Sequence, residues 1–127
     1  MTLLPFSIVA QHTLTVNVKG VKSSEGLVGV GVYNTEDAFL KDEVTGVFSA
    51  AIEGATTITI SDLPEGTYAV SVFHDKNSNK ELDTNFIGIP KEPVAFSKAK
   101  MKTFGPPSFE ECAFTMTSDF EITIPFK

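Results

Sequence analysis

Oxygen-bearing side chains recur at Asp75, Asn77, Asn79 and Asp83 in the run Asp75-Lys-Asn-Ser-Asn-Lys-Glu-Leu-Asp83. These match positions 1, 3, 5 and 9 of a twelve-residue calcium loop, with the backbone carbonyl of Glu81 at position 7. The spacing has a chemical reason. A hard cation takes about six to eight oxygens at roughly 2.3–2.6 Å, and alternate residues of a tight turn can all point inward to supply them. Leu82, at position 8, suits the apolar anchor common there. Two positions depart from the pattern: Lys80 stands where the sharp turn prefers Gly, and Phe86 where a bidentate Glu normally closes the cage. A distant acid such as Glu92, Glu110 or Glu111 is then needed to complete a calcium site. The alternative is metal-free, with Asp75, Asn77 and Asn79 forming consecutive Asx-turns that stiffen the junction of strand and loop. Both readings stay open at the level of sequence.

Other reactive residues carry less. His74 and Asp75 are adjacent, and neighbours on a strand point to opposite faces, so they do not form an acid–base pair. Cys112 and His74 are nucleophile and base by type, but no oxyanion donors or orienting group accompany them, and an inward thiol acting as a small hydrophobe is the commoner role. Two His without further His or Cys at ligand spacing make no zinc site. The expectation is a chain with no catalytic centre.

The elements that must position the 75–83 run are strands. Period-2 alternation places Leu14, Val16 and Val18 on one face of a strand over residues 12–19. A second strand covers 26–34, where Gly29 and Gly31 imply close approach of another backbone or side chain. Thr35 to Lys41 reads as a connector of one or two helical turns with Thr35 as N-cap and with Phe39 and Leu40 pointing back. Residues 44–53 and 55–60 read as two β-rich runs suited to a hairpin. The Leu63-Pro-Glu-Gly66 turn then launches Thr67 to His74, the strongest strand, expected to be central and partly buried on both sides. Alternation fades from Asp75 to about Ser108. It resumes over Phe109–Met116 and again over Asp119–Phe126, where Pro125 signals a strand end or sheet edge. Together these predict an all-β, immunoglobulin-like or transthyretin-like Greek-key sandwich of about seven strands with one long ordered loop. Four prolines, Pro90, Pro93, Pro106 and Pro107, lower the entropy lost when that loop is ordered.

Composition bounds the rest. The 127 residues, 42% of them hydrophobic, suit one globular domain around one core. A net charge of -6 lacks the basic patch that nucleic-acid binding requires. No run approaches the ~18 apolar residues of a membrane-spanning helix. The single Cys112 forms no internal disulfide. Residues 1–10 are apolar and end in Ala10, which reads as the remnant of an export signal or else as an N-terminal arm, leaving 11–127 as the domain.

A family resemblance rests on the loop and its flanks. His74-Asp-Lys-Asn-Ser-Asn-Lys-Glu-Leu-Asp-Thr-Asn-Phe-Ile-Gly-Ile-Pro-Lys-Glu-Pro-Val-Ala-Phe-Ser97, the Phe104-Gly-Pro-Pro-Ser-Phe109 segment and Leu63-Pro-Glu-Gly-Thr-Tyr-Ala-Val70 resemble the bacterial family catalogued as domain of unknown function 2141. The likeness covers roughly residues 12 to 126. Lys80 replaces a Gly often seen in that family, and Val94-Ala95 stands where an aromatic and a Gly are common. The resemblance implies an exported bacterial sandwich, periplasmic or extracellular, and no activity. The functional expectation is a monomeric, non-catalytic exported domain with calcium at Asp75, Asn77, Asn79, Glu81 and Asp83. The alternative is a small-molecule or carbohydrate binding module using the 88–108 loop surface, with Lys91, Glu92, Phe96 and Ser97 in contact and Phe96, Phe104 and Phe109 lining a pocket. The natural protein or small-molecule ligand is not named by the sequence.

Overall fold

The computed structural model describes residues 11–78, 92–102 and 105–126. Among these described residues eight strands and one helical turn follow in chain order: β1 (Gln11–Val21), β2 (Leu27–Tyr33), β3 (Thr45–Ala50), β4 (Gly54–Pro64), β5 (Gly66–Asp75), β6 (Val94–Phe96), α1 (Phe109–Cys112), β7 (Phe114–Met116) and β8 (Phe120–Pro125). One sheet has the order β4-β1-β8, and the other β3-β2-β5-β6 with β7 also on β5. The first strand is thus flanked by an antiparallel β4 and a parallel β8. The sheets face each other as a β-sandwich, in keeping with the alternation of the sequence.

Alternation builds the core directly. Leu14, Val16 and Val18 of β1, Ile58 and Ile60 of β4 and Ile124 of β8 meet Val28, Val30, Val70 and Val72 of the opposite sheet, each at most 4% exposed. The β5 strand is central and buried on both faces as expected. Tyr68, Val70 and Val72 enter the main core, while Ala69 joins a second cluster with Phe96 and Cys112 on the outer side. Phe39, Phe109 and Ala99 pack over that cluster. The close approach inferred at the β2 glycines is present too. A methyl at Gly29 would lie 2.7 Å from Phe73 and 2.8 Å from Phe48, and one at Gly31 would lie 2.9 Å from the Tyr33 hydroxyl. Over Gly29 the Phe48 and Phe73 rings meet edge to face, with centroids 5.9 Å apart and planes at 90°.

Four local expectations are corrected. The β3 and β4 runs do not form a hairpin. They lie in different sheets, because Thr56 Oγ1 accepts from Ile52 N and donates to Ile52 O, turning the chain over to the other layer, where β4 can pair along β1. The Phe109–Met116 run is not one strand. Ser108 and Glu111 form a reciprocal capping box, Glu111 N donating to Ser108 Oγ at 3.2 Å and Ser108 N to Glu111 Oε1 at 3.0 Å, so a helical turn precedes β7. The Ser-x-x-Glu spacing was readable, but alternation masked it. Thr35 Oγ1 does accept from Ala38 N, yet the segment remains a set of turns, ended by a left-handed Leu40 at φ 63° that leaves Leu40 exposed while Phe39 packs inward. Finally, β6 pairs with β5 inside the stretch where periodicity fades, its three residues being too few to show a period. Among the described residues no helix is long and apolar enough to cross a membrane.

Candidate functional site

The oxygen-rich run begins where β5 leaves the sandwich, and its first residues are fixed from several sides. His74 is fully buried on the inner face, opposite Val28, and its Nε2–H donates to the Glu25 carbonyl at 2.7 Å. A carbonyl only accepts, so Nε2 carries a proton there, and among the described residues Nδ1 meets no partner. His74 N donates to Pro93 O at 3.0 Å. Gly26, at φ 72°, lies directly against the carbonyls of Asp75 and Lys76. Ser78 N closes a turn onto Asp75 O at 3.2 Å, with Ser78 itself left-handed at φ 56°. Asp75 points away from the main core, on the face opposite His74, and is fully buried.

One acid returns to this junction. Glu92 Oε2 accepts from Lys76 N at 3.0 Å, so the carboxylate arriving at the far end of the loop is brought to its start. Of the three acids proposed to complete the cage, Glu92 is the one positioned there. Glu111 is engaged at the capping box and by Lys102 Nζ at 2.6 Å; these contacts hold its carboxyl down at about 2. Glu110 sits in the first turn of the same α1. Of the five residues expected to hold calcium, Asp75 and Asn77 are described, whereas Asn79, Glu81 and Asp83 lie outside the described residues. Among the described residues no three His, Cys, Asp or Glu side chains converge on a common point.

Two of the residues weighed as ligand contacts, Phe96 and Ser97, are interior. Phe96 is 5% exposed, and Phe39 fills the space between it and Phe109, with ring centroids 6.5 Å and 5.9 Å away. Phe104 and Lys91 lie outside the described residues. Ser97 is fully buried and structural: its hydroxyl accepts from Val70 N at 3.0 Å and donates to Cys112 O at 2.7 Å, tying α1 to β5. Phe96 and Ser97 therefore do not form a contact surface. Sequence reasoning gave Ser97 a contact role because nothing local distinguishes a serine that bridges a strand and a distant helical turn from one on a loop surface.

Cys112 and His74 sit on opposite faces of the β5 sheet, so they do not make a nucleophile–base pair. Burial pushes the Cys112 thiol up to about 11. Since the thiolate is the reactive form, alkylation of native protein at pH 8 is expected to be roughly a hundredfold or more slower than in the denaturant-unfolded chain. Timed iodoacetamide labelling followed by mass spectrometry measures this, and equal rates in the two states would refute the buried placement.

No curated protein and no solved structure matches the chain. A family model described as an uncharacterized protein conserved in bacteria matches residues 16–123, a span that runs from within β1 to within β8. On that match over most of its length, the chain belongs to the bacterial family DUF2141.

Proposed function

We propose that this domain is a non-catalytic, exported module in which the run from Asp75 to Asp83 holds a structural calcium ion. The ion clamps the loop that leaves the sandwich after β5. The observation that carries this reading is the return of Glu92 to Lys76 N, beside a fully buried Asp75. Asp75 is fully buried and Glu92 half-buried, and a hard divalent cation draws carboxylate oxygens from separate segments onto one point. Asp75, Asn77, Asn79 and Asp83 would supply side-chain oxygens, Glu81 its carbonyl, and Glu92 the closing carboxylate that Phe86 cannot provide. Export is supported by the apolar opening that ends at Ala10. The non-catalytic part rests on the separation of His74 from Cys112. The binding-module alternative has less support, because Phe39 fills the space that a ligand would need beside Phe96.

A calcium titration followed by melting temperature tests the metal. Stabilisation is expected to grow logarithmically with free calcium, reaching about 2.7 kcal/mol at a hundred times the dissociation constant. Glu92→Gln and Asp83→Asn are each expected to shift the titration at least ~10-fold to higher calcium, in line with lost ligand charge. No change in melting temperature at millimolar calcium would end the proposal, and so would variants that titrate like the parent.

A further inference from the structure

Every open sandwich has edges, and the way this chain treats them is uneven. The β8 edge carries Glu121 and Pro125, both common guards against strand addition. The β6 edge is three residues long, and the β3 edge is six residues with Gly46 within it. Among the described residues β4 pairs with β1 alone; it is eleven residues long, and between Glu53 and Asp62 it has neither a charge nor a proline: Gly54-Ala-Thr-Thr-Ile-Thr-Ile-Ser61. Such an edge is a ready template for another strand.

The direction of its free main-chain groups follows from β1. Thr13 N donates to Asp119 Oδ1 at 2.9 Å, and Lys19 O accepts from Phe126 N at 2.8 Å. Asp119 and Phe126 flank β8, so the odd-numbered residues of β1 aim their N–H and C=O toward β8. Strand groups alternate in direction, so Leu14, Val16 and Val18 aim theirs at β4, where they face Ile60, Ile58 and Thr56. On β4 the outward groups therefore belong to Ala55, Thr57 and Thr59. Thr57 and Thr59 also have exposed side chains.

We propose that β4 is a self-association edge that pairs antiparallel with β4 of a second copy, centred on Ile58, so that the three-stranded sheets of two molecules join as one. This departs from the monomer expected from sequence. The register is restricted by chemistry. An antiparallel pair keeps Ile58 and Ile60 of both copies on the inner face only when paired residues have the same parity, because a one-residue slip turns the side chains over. Centring on Ile58 uses the regular stretch 55–61 symmetrically: Thr57 lies opposite Thr59 of the second copy, and Ala55 opposite Ser61. Thr57 and Thr59 are then hydrogen-bonded pairs, each exchanging two backbone bonds. The charges at the ends do not oppose each other, since Glu53 meets Leu63 and Asp62 meets Gly54. A second copy fits this edge because the stretch is its own complement in charge, face and length.

The test is sedimentation velocity of the full chain over a wide concentration range, with two double variants. Wild type is expected to show a reversible, concentration-dependent dimer. T57K/T59K places lysine opposite lysine at both central pairs and is expected to raise the dissociation constant at least ~10-fold. T57K/T59E places lysine opposite glutamate in the same register and is expected to stay within ~3-fold of wild type. Both variants lose the Thr57 hydroxyl bond to Asn17 Oδ1, so a folding defect would appear equally in their melting curves and cannot imitate the charge pattern. A wild type that stays monomeric up to millimolar concentration overturns the proposal, as does a dimer that T57K/T59K leaves intact, or one that both variants weaken alike.

Discussion

Gly26→Ala is expected to destabilise the protein by about 3 kcal/mol, lowering the melting temperature by roughly 10 °C. Two costs add. Gly26 adopts φ 72°, where a Cβ crowds the following carbonyl at about 1 kcal/mol. The new methyl would also run into the Asp75 carbonyl and come within 2.6 Å of Lys76 O. Both are main-chain atoms held in place by the Ser78 and Glu92 hydrogen bonds, so they cannot swing aside as a side-chain tip would. Gly54→Ala provides the control. That residue also has positive φ, at 91°, but nothing lies within 4 Å of a Cβ there, so only the backbone cost of about 1 kcal/mol applies. Urea unfolding of the two variants side by side measures the difference, and equal losses would show that Gly26 is not packed against the start of the loop.

Ser97→Ala is the second large effect, expected at about 3 kcal/mol. Removing one hydroxyl leaves Val70 N–H and Cys112 C=O without their partner in a fully buried place, each at about 1–3 kcal/mol. The main-chain bond from Ser97 N to Val70 O survives, so the sandwich should remain and the loss should concentrate where α1 sits on β5. Cys112 then becomes a reporter. Its alkylation should accelerate in Ser97→Ala while far-ultraviolet circular dichroism stays that of a β protein. A loss under 1 kcal/mol with unchanged labelling would place the hydroxyl in contact with water instead.

These two residues mark the boundary of what the sequence displays. Gly29 and Gly31 were legible as sites of close approach because two glycines in a strand pattern leave a gap that something must fill. The rings that fill the gap at Gly29, Phe48 and Phe73, depend on pairing with β3 and β5 and so on tertiary structure, whereas Tyr33 over Gly31 comes from β2 itself. Ser97 had no such signal, since both of its partners are remote in sequence. The candidate calcium residues were visible by spacing alone, and so was the need for an added acid; that Glu92 rather than Glu110 or Glu111 lies at the junction follows from β6 turning back along β5. The Ser108-x-x-Glu spacing that commits Glu111 to a helix cap went unread beneath the alternation of 109–116, so Glu111 stood among the candidate acids.

Alternating side chains determined the all-β class, most strand positions, the central place of β5 and the edge position signalled by Pro125, because the period-2 geometry of a strand is written locally. Partition into sheets was decided only by the folded chain. β3 and β4 separate into different layers, and β1 comes to lie between β4 and a parallel β8. The physical reason is that every amphipathic strand satisfies its own pattern against any apolar face, so the choice among partners rests on long-range packing and hydrogen bonding that no short window of residues contains.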